Sequence, residues 1–360
     1  MNHEHYIRKA LKLALKGGTL VHPNPMVGAV LVKNKRIIAV GYHSRFGGAH
    51  AEIEAIQRAK KQTRGSTLYV TLEPCSTFGK TPLCVKAIIQ AGICKVIIAE
   101  KDSNPRHRNR GIALLKKAGI DVVCGVLEEE AHFLNRAFHK YMMRKMPYIR
   151  LKLAMSLDGK IATKTGDSKW ISSEIARDWV QDLRKEVDAV LIGINTLLKD
   201  DPRLNIRKGE VLKQPYRIIL DTHGRISLRA KILKEKGGPV LLAAVSLSKH
   251  KRFQLEERNV TILDCKKTSK GQIDLKHLFK KLTMMGIIDI LVEGGGQVTT
   301  SLVEQRLVDQ LYIVISPKLI GSQGTSIFMG SSINKVSQAI GIKNACIAPL
   351  GPDFLLTGTF

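Results

Sequence analysis

Up to about residue 125 the chain alternates two kinds of apolar pattern. MVGAVLV (26–32), IIAVGYH (37–43), TLYVTLE (67–73), KVIIAE (95–100) and DVVCGV (121–126) are short runs rich in β-branched residues, and each predicts a strand. Between them, HYIRKALKLALKG, HAEIEAIQRAKKQ, PLCVKAIIQAG and RGIALLKKAG space their apolar residues as helices do. The last two end on glycine, which accepts the left-handed conformation that closes a helix. Strand and helix in alternation predict an α/β sandwich. EEEAHFLNRAFHKYMMRK (128–145) predicts one long helix. Pro147 then opens a new strand, so the domain boundary is expected near Met146, with domains 1–146 and 147–360. The second domain keeps the α/β style. Its strands are expected at YIRLKLAMS, AVLIGINT, YRIILDT, PVLLAAV, VTIL, DILVEGGG and QLYIVISP, and its helices at SSEIARDWVQDLRKEV and TTSLVEQRLV.

Length agrees with two domains, because 360 residues exceed the roughly 250–300 at which a single core stops growing. The longest apolar run, PVLLAAVSL, falls well short of the roughly 18–20 residues a membrane span needs. The first residues are amphipathic and charged, unlike a signal peptide. Six cysteines without such a signal predict a reduced, cytoplasmic protein. Net charge is +27, which raises the question of nucleic acid. The excess is +15 up to Met146 and +12 beyond it, so it is spread along the chain with no basic run. A solvated basic surface accounts for it and also suits a small phosphorylated substrate.

Candidate chemistry changes the picture more. GAHAEIEAI places His50 and Glu52 at the start of a helix. Downstream, TLEPCSTFGKTPLC places Cys75 at the end of a strand. Thr81 is then expected as the N-cap of a new helix, Pro82 as its first residue and Cys84 in its first turn. One imidazole and two thiolates make three zinc ligands and leave a fourth position for water. Zinc brings the pKa of such a water to roughly 7. Glu52, two residues from a ligand, is placed to carry the proton from the water to a ring nitrogen and then to a leaving amine. Zinc nucleobase deaminases carry this pattern as H-x-E followed by P-C-x-x-C. H-x-E alone says little, and paired cysteines are usually buried thiols; the combination is far rarer. Cys94, Cys124, Cys265 and Cys346 have no ligand-like neighbours and read as structural.

LVHPNPMVGAVLV, GYHSRFGGAHAEIEAI, TLEPCSTFGKTPLC and KDSNPRHRNRG, in that order, resemble the deaminase half of the bifunctional riboflavin-biosynthesis deaminase/reductase family. The eight residues between the cysteines separate that family from the cytidine, guanine and tRNA-adenosine deaminases, which keep C-x-x-C. The resemblance implies a cytidine-deaminase-like α/β/α domain. Its implied substrate is a diaminopyrimidinone bearing a ribosylamino 5′-phosphate, with Asn24, His43, Lys80, Thr81, Asp102 and Asn104 lining the pocket. Lys80 is a flexible point charge suited to phosphate. Two positions depart from the family: Thr77 stands where a histidine is usual, and Leu83 where a second proline is usual. A tRNA or other nucleic-acid deaminase with a basic accessory domain is the competing reading. The cysteine spacing and the second half of the chain count against it.

That second half lacks G-x-G-x-x-G. IIDILVEGGGQVTTSLVEQ instead runs a strand into Glu293, three glycines and a helix, where the free N–H groups of a helix N-terminus can meet phosphate. By itself this is a weak signal. LKLAMSLDGKIAT, GDSKWISS, DLRKEVDAVLIGINTLLKDDPRLNIR and RIILDT resemble the reductase half of the same family, which implies a dihydrofolate-reductase-like fold, NADPH as cofactor and reduction of the ribosyl sugar to a ribityl chain. By resemblance, Ala154, Trp170, Thr196, Asp200, Thr222, Gly295, Gly296, Gln297, Val298, Thr299, Thr300 and Ser301 line the cofactor. Ser168, Arg184, Leu204, Arg207 and Glu293 hold the substrate, the two arginines being expected to grip phosphate. Lys152 and Asp200 are the candidate acids. One zinc per chain and self-association are further implications.

Overall fold

The computed structural model describes residues 2–76, 83–105, 107–329 and 334–360. It divides into two compact units, Met1–Met146 and Pro147–Phe360.

The first unit is built on five strands: β1 (Gly28–Lys33), β2 (Arg36–Tyr42), β3 (Thr67–Leu72), β4 (Lys95–Glu100) and β5 (Asp121–Cys124), in the order β2-β1-β3-β4-β5. β1 runs antiparallel to both neighbours, while β3, β4 and β5 are parallel. The period of two along each strand sorts residues between two cores. Ala29, Leu31, Leu68, Val70, Val96 and Ile98 pack with the helices Ala51–Ala59 and Cys84–Gln90. Val30, Val32, Tyr69, Ile97 and Ala99 pack on the other face with the helix His3–Ala14. The result is an α/β/α sandwich. Gly41 on β2 lets the helix Ala51–Ala59 lie directly on the sheet: a Cβ there would sit 2.3 Å from the Ala51 carbonyl oxygen.

Two details differ from the sequence expectation. The stretch 128–145 is two helices, Glu128–Leu134 and Arg136–Arg144, broken at Asn135. The Asn135 side chain accepts from the Met26 N–H (2.8 Å) and donates to the Met26 carbonyl (3.0 Å). A buried side chain that bonds a distant backbone competes with the helix at that point. The second difference is that the helix carrying Cys84 begins at Cys84 itself, with Leu83 as its N-cap. Thr81 and Pro82 lie outside the described residues, as do Thr77 and Lys80.

The second unit carries a nine-stranded sheet. Its strands are β6 (Tyr148–Ser156), β8 (Ala189–Gly193), β9 (Tyr216–Leu220), β10 (Val240–Ala244), β11 (Val260–Asp264), β12 (Asp289–Val292), β13 (Gln310–Ser316), β15 (Lys343–Leu350) and β16 (Asp353–Thr359). The order is β11-β10-β9-β8-β12-β6-β13-β16-β15, parallel from β11 to β13, with β16 and β15 antiparallel at one edge. β7 (Lys160–Ala162) and β14 (Thr325–Ser326) form a separate two-stranded ribbon. Adjacent central strands are fastened by Arg150 of β6, whose guanidinium makes two bonds to Asp289 of β12 (2.9 and 2.7 Å). The AVLIGINT run remains strand only to Gly193, and Ile194–Asp200 is a helix. The chain therefore turns at the carboxyl end of β8, which brings Thr196 towards the end of β12. Crevices at the carboxyl ends of parallel strands are the usual ligand sites of such sheets. The helices Lys249–Glu256 and Leu275–Met284 and the terminal hairpin β15–β16 had no counterpart in the sequence reading.

Candidate active sites

His50 is the N-cap of the helix Ala51–Ala59, and Cys84 begins the next helix. The His50 Nδ1 lies 3.1 Å from the Cys84 Sγ and 3.6 Å from the Cys75 Sγ. One ligand atom from each residue falls within 4.8 Å of the others. The backbone N–H of Cys84 points at the Cys75 sulfur (3.4 Å). Hydrogen bonds from Cys84, with His50 alongside, draw the Cys75 thiol down to about 4, while the Cys84 thiol moves up because it donates to Cys75. One imidazole and two sulfurs, one of them held as thiolate, suit zinc. Glu52 is 3 % exposed, and burial raises the pKa of its carboxyl.

A pocket of about 170 Å³ opens on this cluster. Asn24, His43, Asp102 and Asn104 line it together with His50, Glu52 and Cys75. His43 Nδ1 donates to the Ala49 carbonyl (2.9 Å), so its Nε2 accepts from the Asn24 amide (3.2 Å). Burial lowers the His43 pKa, which keeps that imidazole neutral and fixes the Asn24 side chain. Lys80 and Thr81, the remaining residues expected here, lie outside the described residues. The sequence reading missed Glu73, His107, Phe138 and Met142, which also line the pocket. Glu73 stands in E-P-C and could have been noticed. It accepts from the backbone N–H groups of Asp102, Asn109 and Ile112 and so organises the loop after β4. Phe138 and Met142 are four apart on one helix, ordinary core spacing that carries no functional mark.

The second unit holds a cleft of about 820 Å³ at the ends of β6, β8 and β12. Ala154, Ser168, Trp170, Arg184, Thr196, Asp200, Leu204, Arg207, Glu293, Gly295 and Gly296 line it, as does Lys152. A neighbouring pocket of about 320 Å³ takes in Thr196, Thr222, Gly295, Gly296, Gln297, Val298 and Ser301. Gly294 and Gly295 both have positive φ (83° and 96°), and a Cβ at Gly295 would come 2.9 Å from the Thr196 hydroxyl. The turn thus needs glycine for conformation and for clearance, and the helix Gly296–Glu304 starts directly after it. This bare backbone at a helix N-terminus fits a phosphate-bearing dinucleotide.

Two threonines and one arginine sit differently from the expectation. Thr299 is fully buried, and Thr300 is spent on the Gly296 carbonyl (2.8 Å) and the Met329 N–H (2.9 Å), so both face the core and line neither pocket. Arg184 is not a waiting phosphate fork. It makes two bonds to Glu293 (2.5 and 2.7 Å) and a third to the Asn205 carbonyl (2.9 Å). That pairing outweighs burial and holds the Glu293 carboxylate below its ordinary pKa. Arg207 remains exposed at the rim. Burial, with Arg184 nearby, brings the Lys152 pKa below that of an ordinary lysine. Trp170 is 64 % exposed, and the Arg177 guanidinium stacks 4.4 Å from its ring.

Comparison with known proteins agrees with this division. Residues 1–100 match the cytidine and deoxycytidylate deaminase zinc-binding region, and residues 147–356 match the RibD C-terminal domain. The riboflavin biosynthesis protein RibD of Aquifex aeolicus is 41% identical over 98% of this chain and 97% of its own length. Its Escherichia coli counterpart is 38% identical, covering 99% of each. Among solved structures, Acinetobacter baumannii RibD superposes with a TM-score of 0.89 at 35% identity, over 99% of this chain and 98% of that one. A diaminohydroxyphosphoribosylaminopyrimidine deaminase/5-amino-6-(5-phosphoribosylamino)uracil reductase from Thermotoga maritima gives 0.87 at 37% identity, again over 99% and 98%. Both domains and their order are shared with these proteins over essentially the whole length, and the chain belongs to the RibD family of riboflavin-biosynthesis proteins.

Proposed function

We propose that the first pocket deaminates a 2,5-diamino-6-ribosylamino-4(3H)-pyrimidinone 5′-phosphate and that the second cleft reduces the ribosyl group of the product to ribityl with NADPH. The observation that supports this most directly is the convergence of His50, Cys75 and Cys84 beside buried Glu52 in a pocket that also presents Asn24, Asp102 and Asn104.

In the first pocket His50, Cys75 and Cys84 hold one zinc ion. The chemistry zinc supplies when bound is Lewis-acid activation of water at neutral pH. A Glu52 carboxylate oxygen would pass one proton of the attacking water to the ring nitrogen, then take the second from the hydroxyl left on the ring carbon and pass it to the departing amine, so that the carbonyl forms as ammonia leaves. Its burial suits this task, because it keeps bulk water away from the proton being moved. Asn24, oriented by His43, and the Asp102–Asn104 segment fix the pyrimidine. Lys80 and Thr81 are assigned to the sugar phosphate.

In the second cleft Thr196, Thr222, Gly295, Gly296, Gln297, Val298 and Ser301 would hold NADPH, which would supply the hydride. The ring-opened sugar is an imine and already electrophilic, so placement against the nicotinamide contributes most of the rate. Glu293, kept ionised by Arg184, accepts sugar hydroxyls, while Arg207 at the rim meets the phosphate. Lys152 lies beside this pair, able to give up a proton more readily than an exposed lysine. A nucleic-acid deaminase is not favoured, since residues 147–356 match a reductase domain.

No helix among the described residues is long and apolar enough to cross a membrane. All six cysteines are unpaired, which supports a reducing, cytoplasmic setting. The edge strand β15 is exposed almost throughout, with Ile347 62 % accessible, which supports self-association along that edge. The function is tested by ammonia release from the amino substrate and by NADPH and NADH oxidation with the deaminated intermediate. Zinc-loaded protein that turns over neither compound overturns the assignment.

A further inference from the structure

The loop that carries Asp102 and Asn104 is tied down by Glu100, His132 and His139, which lie outside the motifs quoted above. Glu100, at the end of β4, is 4 % exposed and takes two imidazoles on its carboxylate. His132 Nδ1 lies 2.7 Å from one oxygen and His139 Nε2 lies 3.0 Å from the other. The second nitrogen of His139 is hydrogen-bonded to the Ser103 hydroxyl. Ser103 sits between the two residues that face the pocket.

Two histidines and a glutamate at these distances first suggest a second metal site. Ring geometry decides against it. The His132 and His139 planes are 3° from parallel and stacked, with centroids 4.3 Å apart. A metal ion lies in the plane of each imidazole that binds it, through the ring nitrogen's in-plane lone pair, and two stacked parallel planes share no such point. The cluster is a hydrogen-bond relay. His139 Nε2–H donates to the carboxylate, which leaves Nδ1 to accept from the Ser103 O–H.

We propose that His139 is a positioning residue for the deaminase pocket: tied to Glu100 through Nε2 and to Ser103 through Nδ1, it holds the Asp102–Asn104 segment against the substrate. This rests on the reading of Asp102 and Asn104 as substrate contacts. The helix Arg136–Arg144 that carries His139 also sends Phe138 and Met142 into the pocket wall. Asn135, at its head, clamps Met26, two residues from Asn24. Both substrate-facing edges, the one at Asn24 and the one at Asp102, are therefore referenced to a single helix. Asp102 accepts from the Asn104 N–H (2.8 Å), so a shift at Ser103 moves both residues together. A preorganised edge of this kind strengthens binding of the ground state and the transition state alike, which appears in KM before kcat.

The test is steady-state ammonia release by Ser103→Ala, His139→Phe, their combination, Ser103→Thr and Asp102→Ala. Ser103→Ala keeps the buried imidazole–carboxylate pair and so remains informative if His139→Phe folds poorly. One lost hydrogen bond corresponds to a KM increase of about five- to tenfold. We expect that rise in Ser103→Ala and His139→Phe with kcat within about twofold of the parent. The double variant should be no worse than either single change, and Ser103→Thr should behave as the parent. Zinc content and reduction of supplied intermediate should not change. The relay is overturned if Asp102→Ala raises KM while Ser103→Ala does not, if kcat falls at unchanged KM, or if the double variant is additive. If Asp102→Ala itself leaves KM unchanged, the substrate-contact reading fails instead, and the relay loses its function with it.

Discussion

Each domain has a largely buried glutamate lining its pocket, and the two are driven in opposite directions. Burial raises the pKa of Glu52, because the charges around it do not compensate for lost water. Glu293 is held below its usual value because Arg184 meets both its oxygens. The first can carry a proton; the second is a fixed negative charge. Identical side chains acquire different work from one neighbour. The surrounding spaces differ as well: a pocket of about 170 Å³ beside Glu52 and a cleft of about 820 Å³ beside Glu293.

The sharpest way to separate the two sites is to remove the metal. Dialysis against a zinc chelator should abolish ammonia release and leave NADPH oxidation on supplied intermediate at its original rate. Restoring zinc should bring ammonia release back. Glu52→Gln comes next: ammonia release should drop by about 10²–10⁴-fold, the usual worth of a positioned acid–base group. Elemental analysis should still find one zinc per chain. A proportional loss of reductase activity would show that the sites are coupled.

For Glu293 the comparison is tested through its partner. Arg184→Met removes both bonds to a largely buried carboxylate that keeps Lys152 and Arg207 nearby, and urea unfolding should register about 1–3 kcal/mol of lost stability. Adding Glu293→Gln should return most of it. The smallest effect concerns pH. A carboxylate whose folded pKa is depressed contributes stability above its unfolded pKa, and that contribution is lost as pH falls through the folded value. Glu293 therefore stays ionised through the weakly acidic range, and between pH 7 and pH 5 it should cause no change in the KM for the deaminated intermediate. In Arg184→Met the carboxyl loses its partner, so a KM that varies with pH should emerge in the same window.

Much of this was legible in the chain. The strand and helix alternation of the first domain, the division near Met146 and the convergence of His50, Glu52, Cys75 and Cys84 all follow from local patterns with a short reach. What the sequence hid depends on long-range partners. Asn135 breaks a helix whose own residues favour continuity, because its amide answers a backbone more than a hundred positions away. Arg184 reads as a phosphate ligand until its fork is found on Glu293. Thr299 and Thr300 belong to a glycine-rich turn by sequence yet face the core, since only some positions of the helix after the turn can look outwards. His139 belongs to no quoted motif, and its meeting with Ser103 across 36 positions is visible only in the fold.

Gly41 carries the last lesson. It donates nothing to metal, substrate or proton, and it lies on a strand remote in sequence from both cysteines. Any side chain there would collide with the first turns of the helix that begins at Ala51, where a Cβ meets the Ala51 carbonyl at 2.3 Å and the Ala55 nitrogen at 2.6 Å. That helix is the mount for His50 and Glu52. A saturation screen scored on growth without added vitamin should rank position 41 among the metal ligands, as intolerant as a residue that does chemistry.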